Sequence, residues 1–271
     1  MPVDALGLAL GAAALHALWN LLLVREPDTE AATAVAVASL VGVLVLPAAL
    51  TWRVEGAALP YVAGSAALEL AYVGLLAAAY RRFELSVVYP VARGLAPVLA
   101  LVLTMIVTLS APSAGEVAGV LAVAAGVLLV RGRNSGAMAF AGLGAGAVIA
   151  AAIAGYTVVD RYGIHHANAA PYLLLVMIGP AVVYSLGVGH RRVARALSPV
   201  TVLVGAASAG AYLLVLLALR LASAPAVAAV RETSVVIATA LAAVVLRERV
   251  GRARFAGAVL VAGGVALLAL S

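Results

Sequence analysis

Apolar residues run along this chain in stretches of about twenty, the length a helix needs to cross a bilayer, divided by short clusters of charge, proline and glycine. Ten such runs are legible, at 3–24, 31–51, 58–80, 86–109, 114–130, 139–161, 169–188, 198–220, 224–246 and 252–270. Arg25-Glu26-Pro27-Asp28 closes the first and Arg53 to Gly56 the second. Arg81-Arg82 with Glu84 closes the third, and Ala111-Pro112-Ser113 the fourth. Arg131 to Gly136 reads as a linker, His190-Arg191-Arg192 ends the seventh run and Arg247-Glu248-Arg249 the ninth. A barrel strand would alternate polar and apolar residues over about ten positions; these runs are unbroken for twice that. The expected fold is therefore an all-α integral membrane protein. The first run carries Asp4 and no basic residue before its apolar stretch, unlike a secretory signal, so it reads as a retained span.

Composition sharpens this picture. Of 271 residues, 66% are hydrophobic, only 17 are basic and 11 acidic, whereas a soluble domain is about a quarter charged. No cysteine is present, which excludes disulfides, thiolate metal sites and thiol nucleophiles. Every basic residue is arginine. The arginines sit a few at a time between apolar runs and form no basic stripe, so nucleic acid is not an expected partner. With ten crossings, twelve arginines fall on one side, three (Arg53, Arg161, Arg220) on the other, and Arg93 and Arg231 within the membrane. The positive-inside rule would put the twelve in the cytoplasm and both termini outside.

The chain also repeats itself. At a shift of 138, AGVLAVAAGVLLV (118–130) lies on AGAVLVAGGVALL (256–268) with seven of thirteen positions identical, and Arg93 falls on Arg231, Gly119 on Gly257 and Gly126 on Gly264. At a shift of 137, Ala17-Leu18-Trp19-Asn20 lies on Ala154-Gly155-Tyr156-Thr157. Two units of five spans, residues 1–133 and 139–271, are expected. Because five is odd, the second enters the membrane from the opposite side, giving an inverted-topology repeat. That architecture underlies alternating access in many secondary transporters, with the substrate between the repeats near the midplane.

HALWN (16–20), YRRFELSVVYPVARG (80–94), AGYTVVDRYG (154–163) and LRERV (246–250) before a glycine-containing last helix are the telling segments. With the 5+5 layout they resemble the EamA-like branch of the drug/metabolite transporter superfamily, over the whole chain. The resemblance implies ten helices, a central cavity lined by the first four spans of each half, and transport of a small polar or amphipathic metabolite, often outward, across a cell (inner or plasma) membrane. It implies termini in the cytoplasm, which opposes the arginine count; the orientation stays open.

Charge at the bilayer centre costs at least about 2.5–3.5 kcal/mol, so it faces a cavity or a partner. Glu69, Arg93, Arg231 and Glu232 are the residues in question. Arg93 and Arg231 each stand seven residues into their span, and so near the midplane. Together they suit a carboxylate, phosphate or phosphonate, which guanidinium binds bidentately. The competing expectation is structural pairing, Arg93 with Glu69 and Arg231 with Glu232 or a helix end. Pro90 and Pro97 straddle Arg93, predicting a local break in the fourth span that the ninth lacks. Tyr89 shares the face of Arg93. His16 and Asn20 share a face of the first span with Trp19 beside them, Tyr156 stands in the sixth, Tyr72 is on the face of Glu69, and Tyr212 is placed comparably on the eighth. All are expected at the substrate site, where the aromatics either line a cavity or pack with their polar tips bonded. Asp160 and Arg161 are expected at the membrane surface. Glu69, Glu232 and His16 are the candidates for proton coupling, Glu69 foremost.

The alternatives are a lipid-modifying membrane enzyme and a sensor or scaffold. The first needs clustered catalytic groups at one depth; no HExxH occurs, and Ser39, Ser65, Ser208 and Ser234 have no histidine beside them. No cofactor is implied, and His165-His166 lacks a third metal ligand nearby. For the second, no soluble domain accompanies the spans. The glycines at 119/126 and 257/264 lie on one face of their helices and predict close helix packing.

Overall fold

The computed structural model describes residues 1–80, 82–83, 85–130, 137–237, 240 and 251–271. Its long helices are α1 (Val3–Leu23), α2 (Thr29–Leu50), α3 (Leu59–Tyr80), α4 (Leu85–Thr108), α5 (Ala114–Val130), α6 (Ala137–Gly163), α7 (Ala169–Val188) and α9 (Pro199–Leu221). A short α8 (His190–Ala196) precedes α9, and α10 (Ala224–Arg231) and α11 (Arg252–Leu270) follow it. Among the described residues no strand forms; the single β-bridge joins Val54 to Ala167. Among the described residues seven helices are long and apolar enough to cross a membrane, and α5 and α11 carry shorter apolar segments. The expected ninth span is described only as α10 and 233–237, which is again helical. The linker at 131–136, Arg81, Glu84 and Arg247–Arg249 lie outside the described residues.

The sequence closes each helix end with ordinary devices. Asp28 caps α2 by accepting from the Ala31 amide at 3.1 Å, and Ser198 and Thr201 form a capping box at the start of α9. Pro199 and Pro225 occupy first-turn positions of α9 and α10, where no helical donor is lost. One face of each helix buries small residues: Ala5, Ala9, Ala12, Ala13 and Ala17 of α1 are all buried. Large apolar side chains such as Leu46, Ile106, Val183, Leu203 and Val259 stand exposed, as lipid-facing residues do. Without a hydrophobic drive between helices in lipid, close backbone approach holds the bundle together.

The helices meet in a definite set of pairs. α1 packs on α9, α3 on α6, α2 on α9, α3 on α7, α4 on α6, α1 on α10, α2 on α7, α4 on α10 and α5 on α11. The α5–α11 seam brings two backbones into close contact. A Cβ on Gly126 would stand 2.6 Å from the Gly257 carbonyl oxygen, and one on Gly264 would stand 2.7 Å from that of Gly119. The partner of each glycine face is thus the other helix of the same chain.

The expected break in α4 is corrected: α4 is continuous through Pro90 and Pro97. A proline frees one carbonyl, a loss that membrane helices absorb; Pro97 leaves that of Arg93 without its helical donor. The interruption lies instead at Glu232. There the amide bonds back only three residues, to Ala229 O at 3.0 Å, and Val235 N bonds to Glu232 O at 2.9 Å. This short 3₁₀-like tightening mid-helix is the kind found at hinges.

Candidate functional site

α4 and α10 meet in the interior and bring Arg93 against Glu232. Arg93 Nε donates to Glu232 Oε2 at 3.1 Å, and the side chains are only 6% and 4% exposed. The second nitrogen reaches Ser234 Oγ at 3.5 Å, just past the break. This corrects the expected pairing. Arg93 is bound to Glu232, 139 residues away, rather than to Glu69. Glu232 cannot serve Arg231 equally well, because adjacent helical residues point about 100° apart. The turn at Glu232 directs its carboxyl toward α4 instead.

Arg231 remains at the centre of the cluster, half-buried. Its charge is felt by His16 of α1, Tyr89 of α4, Tyr156 of α6 and the carboxyls of Glu69, Asp160 and Glu232. Arg93 is felt by His16, Tyr72, Tyr89 and Tyr156. The tyrosines form a connected wall: the rings of Tyr72 and Tyr156 are 6.1 Å apart edge to face, and those of Tyr156 and Tyr212 are 6.2 Å apart. Such spacings are attractive for aromatic pairs. His16 packs edge-on against Trp19 at 4.7 Å. Asn20 turns its amide onto the His16 carbonyl at 2.8 Å, so that group is spent on its own helix.

A second polar group lies beside the first. Asp160, in the last turn of α6, is fully buried among its neighbours. Its Oδ1 accepts from the Tyr172 hydroxyl at 2.9 Å and its Oδ2 from the Tyr212 hydroxyl at 2.7 Å. α6 continues to Gly163, and α7 folds back to lay Tyr172 over this last turn. Arg161, partly exposed, turns outward to His165. Glu69 is 5% exposed and faces the Tyr212 hydroxyl and the Asp160 charge. Ser65 Oγ sits next to Asp160 and Tyr172, fully buried and without a hydrogen bond. Asp160, Tyr172, Ser65 and Ser234 are the residues that sequence reasoning left out of the site. The spacing of Tyr156 and Asp160, four apart in an otherwise apolar run, was the available signal.

The two ends of the bundle are tied differently. At one end the 51–58 and 164–168 loops are laced by backbone: Glu55 N to His166 O and Asn168 N to Arg53 O, both 2.9 Å. Arg220 adds bonds to the carbonyls of Ile164 and Ala167. His166 stacks on Tyr61 and bonds Glu55 at 3.3 Å. Hydrogen bonds from Arg53 and His166 hold the Glu55 carboxyl below its usual range. A cleft of about 240 Å³ opens here, lined by Arg53, His165, Ala167, Asn168 and Arg220; it is at the rim, away from Arg93. At the same end the Met1 amino group bonds Leu268 O at 3.0 Å, and Ser223 bonds Glu116. At the other end Arg192 of α8 grips Asp28 at 2.8 Å and Glu30 at 2.9 Å, and this hydrogen bonding holds Asp28 below the ordinary carboxylate range.

Comparison with known proteins agrees with this architecture. Residues 140–270 match the family model described as the EamA-like transporter family. No curated protein matches the chain. One protein crystal structure, 16% identical, covers 98% of this chain and 95% of its own with a TM-score of 0.78, a likeness of fold.

Proposed function

We propose, from the match of residues 140–270 to the EamA-like transporter family of the drug/metabolite transporter superfamily, that this multi-pass membrane protein is a secondary transporter of a small anionic or zwitterionic metabolite working by alternating access. Members of that family are transporters rather than enzymes. The reading of two five-span units in inverted orientation is supported by the packing. Exchanging the halves turns the α1–α9 contact into α6–α3, α2–α9 into α7–α3 and α4–α6 into α10–α1, and all six are present. The α5–α11, α2–α7 and α4–α10 contacts map onto themselves, and Gly119–Gly264 maps onto Gly257–Gly126. Ten alternating crossings are supported by the loops. Those that such a count puts on one face meet one another, as in Met1–Leu268 and Glu116–Ser223; so do 28 and 192 on the opposite face.

The observation that carries the substrate reading is the buried Arg93–Glu232 pair with Arg231 beside it. It joins the first half to the second at the one tightened turn of α10. A substrate carboxylate or phosphate can replace Glu232 on Arg93 bidentately, and a substrate ammonium can take the freed Glu232. For a zwitterion the exchange leaves both Arg93 and Glu232 with a partner, and so avoids a buried unpaired charge. Releasing the pair also frees the two halves to rock about the site. Glu69, Tyr72, Tyr89, Tyr156, Tyr212, His16 and Trp19 complete its walls, and a cell membrane is the proposed location.

A stabilisation screen of the detergent-purified protein across anions, zwitterions and cations identifies candidates, followed by flux of the radiolabelled hit in liposomes. Flux lost in Arg93→Gln and Arg231→Gln supports the reading. Undiminished flux in the double variant overturns the site.

A further inference from the structure

We propose that the cleft at the rim, lined by Arg53, His165, Ala167, Asn168 and Arg220, binds a phosphate group, supplied by a membrane lipid headgroup or by a free phosphate in solution. The site lies away from the Arg93–Glu232 pair and does not depend on it.

The placing of charge leads to it. Arg53, Arg161 and Arg220 are the three arginines that ten crossings assign to this face, against twelve on the other. They come from the α2–α3 loop, the last turn of α6 and the last turn of α9. Yet they converge. Arg53 and Arg220 line the cleft, and Arg161 contacts His165, which lines it too. Among the described residues no carboxylate lines it. Glu55 is bonded to Arg53 at 2.9 Å and to His166 at 3.3 Å, so it offsets one guanidinium and leaves the others. Partial burial, and then the charges of Arg161, Arg220 and His166, push the His165 imidazole below its usual range. A cleft walled by one sign of charge concentrates counter-ions.

The donors are fixed by backbone. Val54 and Ala167 form a β-bridge, and Asn168 N donates to Arg53 O at 2.9 Å. Asn168 Nδ2 donates to Thr51 O at 2.8 Å. Arg220 donates to Ile164 O at 3.2 Å and to Ala167 O. Those bonds use two of the five N–H donors of its guanidinium and leave three. Arg53 spends one on Glu55. Two guanidinium forks from separate segments, with an imidazole and an amide beside them, suit a tetrahedral phosphate, whose oxygens accept from several directions. A planar carboxylate is satisfied by one fork. The cleft, about 240 Å³, is smaller than the roughly 300–1,000 Å³ that encloses a drug-sized ligand, and so suits a headgroup.

Its surroundings have the character of headgroup depth. Trp52, next to Arg53 in the chain, is 56% exposed, and Leu50, Leu59 and Leu221 stand exposed at the same helix ends. Tryptophan gathers at the membrane–water boundary. A lipid phosphate in the cleft would lay its chains along these leucines.

Titration of the full chain in phosphatidylcholine nanodiscs tests this. The chain has two tryptophans, Trp19 and Trp52, so Trp19→Phe leaves Trp52 as a fluorescent reporter beside Arg53. The probes are inorganic phosphate in the buffer, against sodium chloride of equal ionic strength, and phosphatidylglycerol in the disc. A saturable change in Trp52 emission is expected. Arg53→Gln and Arg220→Gln should each weaken it about tenfold, the worth of one charge-assisted hydrogen bond. Arg192→Gln, the same loss of charge at the opposite end, should leave it unchanged. Arg220 also braces the 164–168 loop, so Arg53→Gln, whose side chain is 69% exposed in the wild type, carries the test if Arg220→Gln does not fold. Saturation by inorganic phosphate supports a free phosphate as the ligand, and saturation by phosphatidylglycerol alone supports a lipid headgroup. No saturable change with either probe beyond that with chloride, or an equal change in Arg53→Gln, overturns the site.

Discussion

Removing one partner of the Arg93–Glu232 pair is the sharpest perturbation available. The groups are 3.1 Å apart with side chains 6% and 4% exposed, so water does little to compensate a lone charge. At an effective dielectric of about 20, unit charges about 4 Å apart attract by about 4 kcal/mol. Breaking a buried pair from one side costs about 3–5 kcal/mol, because the survivor stays buried and unpaired. Glu232→Gln and Arg93→Gln are each expected to destabilise by about 3 kcal/mol on that basis. Arg93→Gln/Glu232→Gln removes both charges and should cost little more than either single change. The cycle then gives a coupling of about 3 kcal/mol, within the range of residues in one network. The assay is equilibrium unfolding in mixed micelles, titrated with a denaturing detergent and followed by helical circular dichroism. The double variant should also be stable yet inactive in flux, since its arginine is gone. Additivity of the two single changes to within about 0.5 kcal/mol would refute the pairing and the exchange built on it.

The remaining predictions test other parts of the molecule. Gly126→Ala places a methyl 2.6 Å from the Gly257 carbonyl oxygen, and overpacking of this kind costs about 1–3 kcal/mol; unchanged unfolding would show that the seam is loose. Asp28 is depressed in the folded protein by Arg192, so its contribution is present above its unfolded value near 3.8 and disappears as pH falls through the lowered folded value. The thermal-stability difference between wild type and Asp28→Asn should accordingly hold at pH about 6 and close toward pH about 3, bracketing the carboxylate range; a constant difference contradicts the pairing. The chain has no cysteine, so Glu116→Cys with Ser223→Cys gives a clean cross-link. Rapid disulfide formation on mild oxidation is expected, and its failure would contradict the shared face of those two loops.

Much of the fold was legible because a membrane helix is written in one dimension. Length and unbroken apolarity are properties of neighbours in sequence, and the ends at Leu23, Tyr80, Val130 and Val188 fall where charge or proline clusters interrupt them. The exceptions are informative. Pro90 and Pro97 predicted a break in α4 because each removes a donor, but the packed bundle tolerates the freed carbonyls. The interruption arose at Glu232, where no proline or glycine stands. There a turn lets a buried carboxyl reach Arg93, and that partner is 139 residues distant.

The sequence alone determined that this chain belongs in lipid, that its halves echo each other at a shift of 138, and which charges needed a reason to be in the membrane. Those are matters of composition, spacing and the cost of burying a charge. Which carboxyl answers which arginine was decided only in three dimensions. Glu69 was the partner expected for Arg93 until α4 packed on α10 and brought Glu232 to it. Asp160 had no legible partner until Tyr172 and Tyr212, from two other helices, closed over it. Ion pairs and hydrogen bonds act over a few ångströms, and the helix faces that bring such groups within reach are set by packing between distant segments, which no local pattern records.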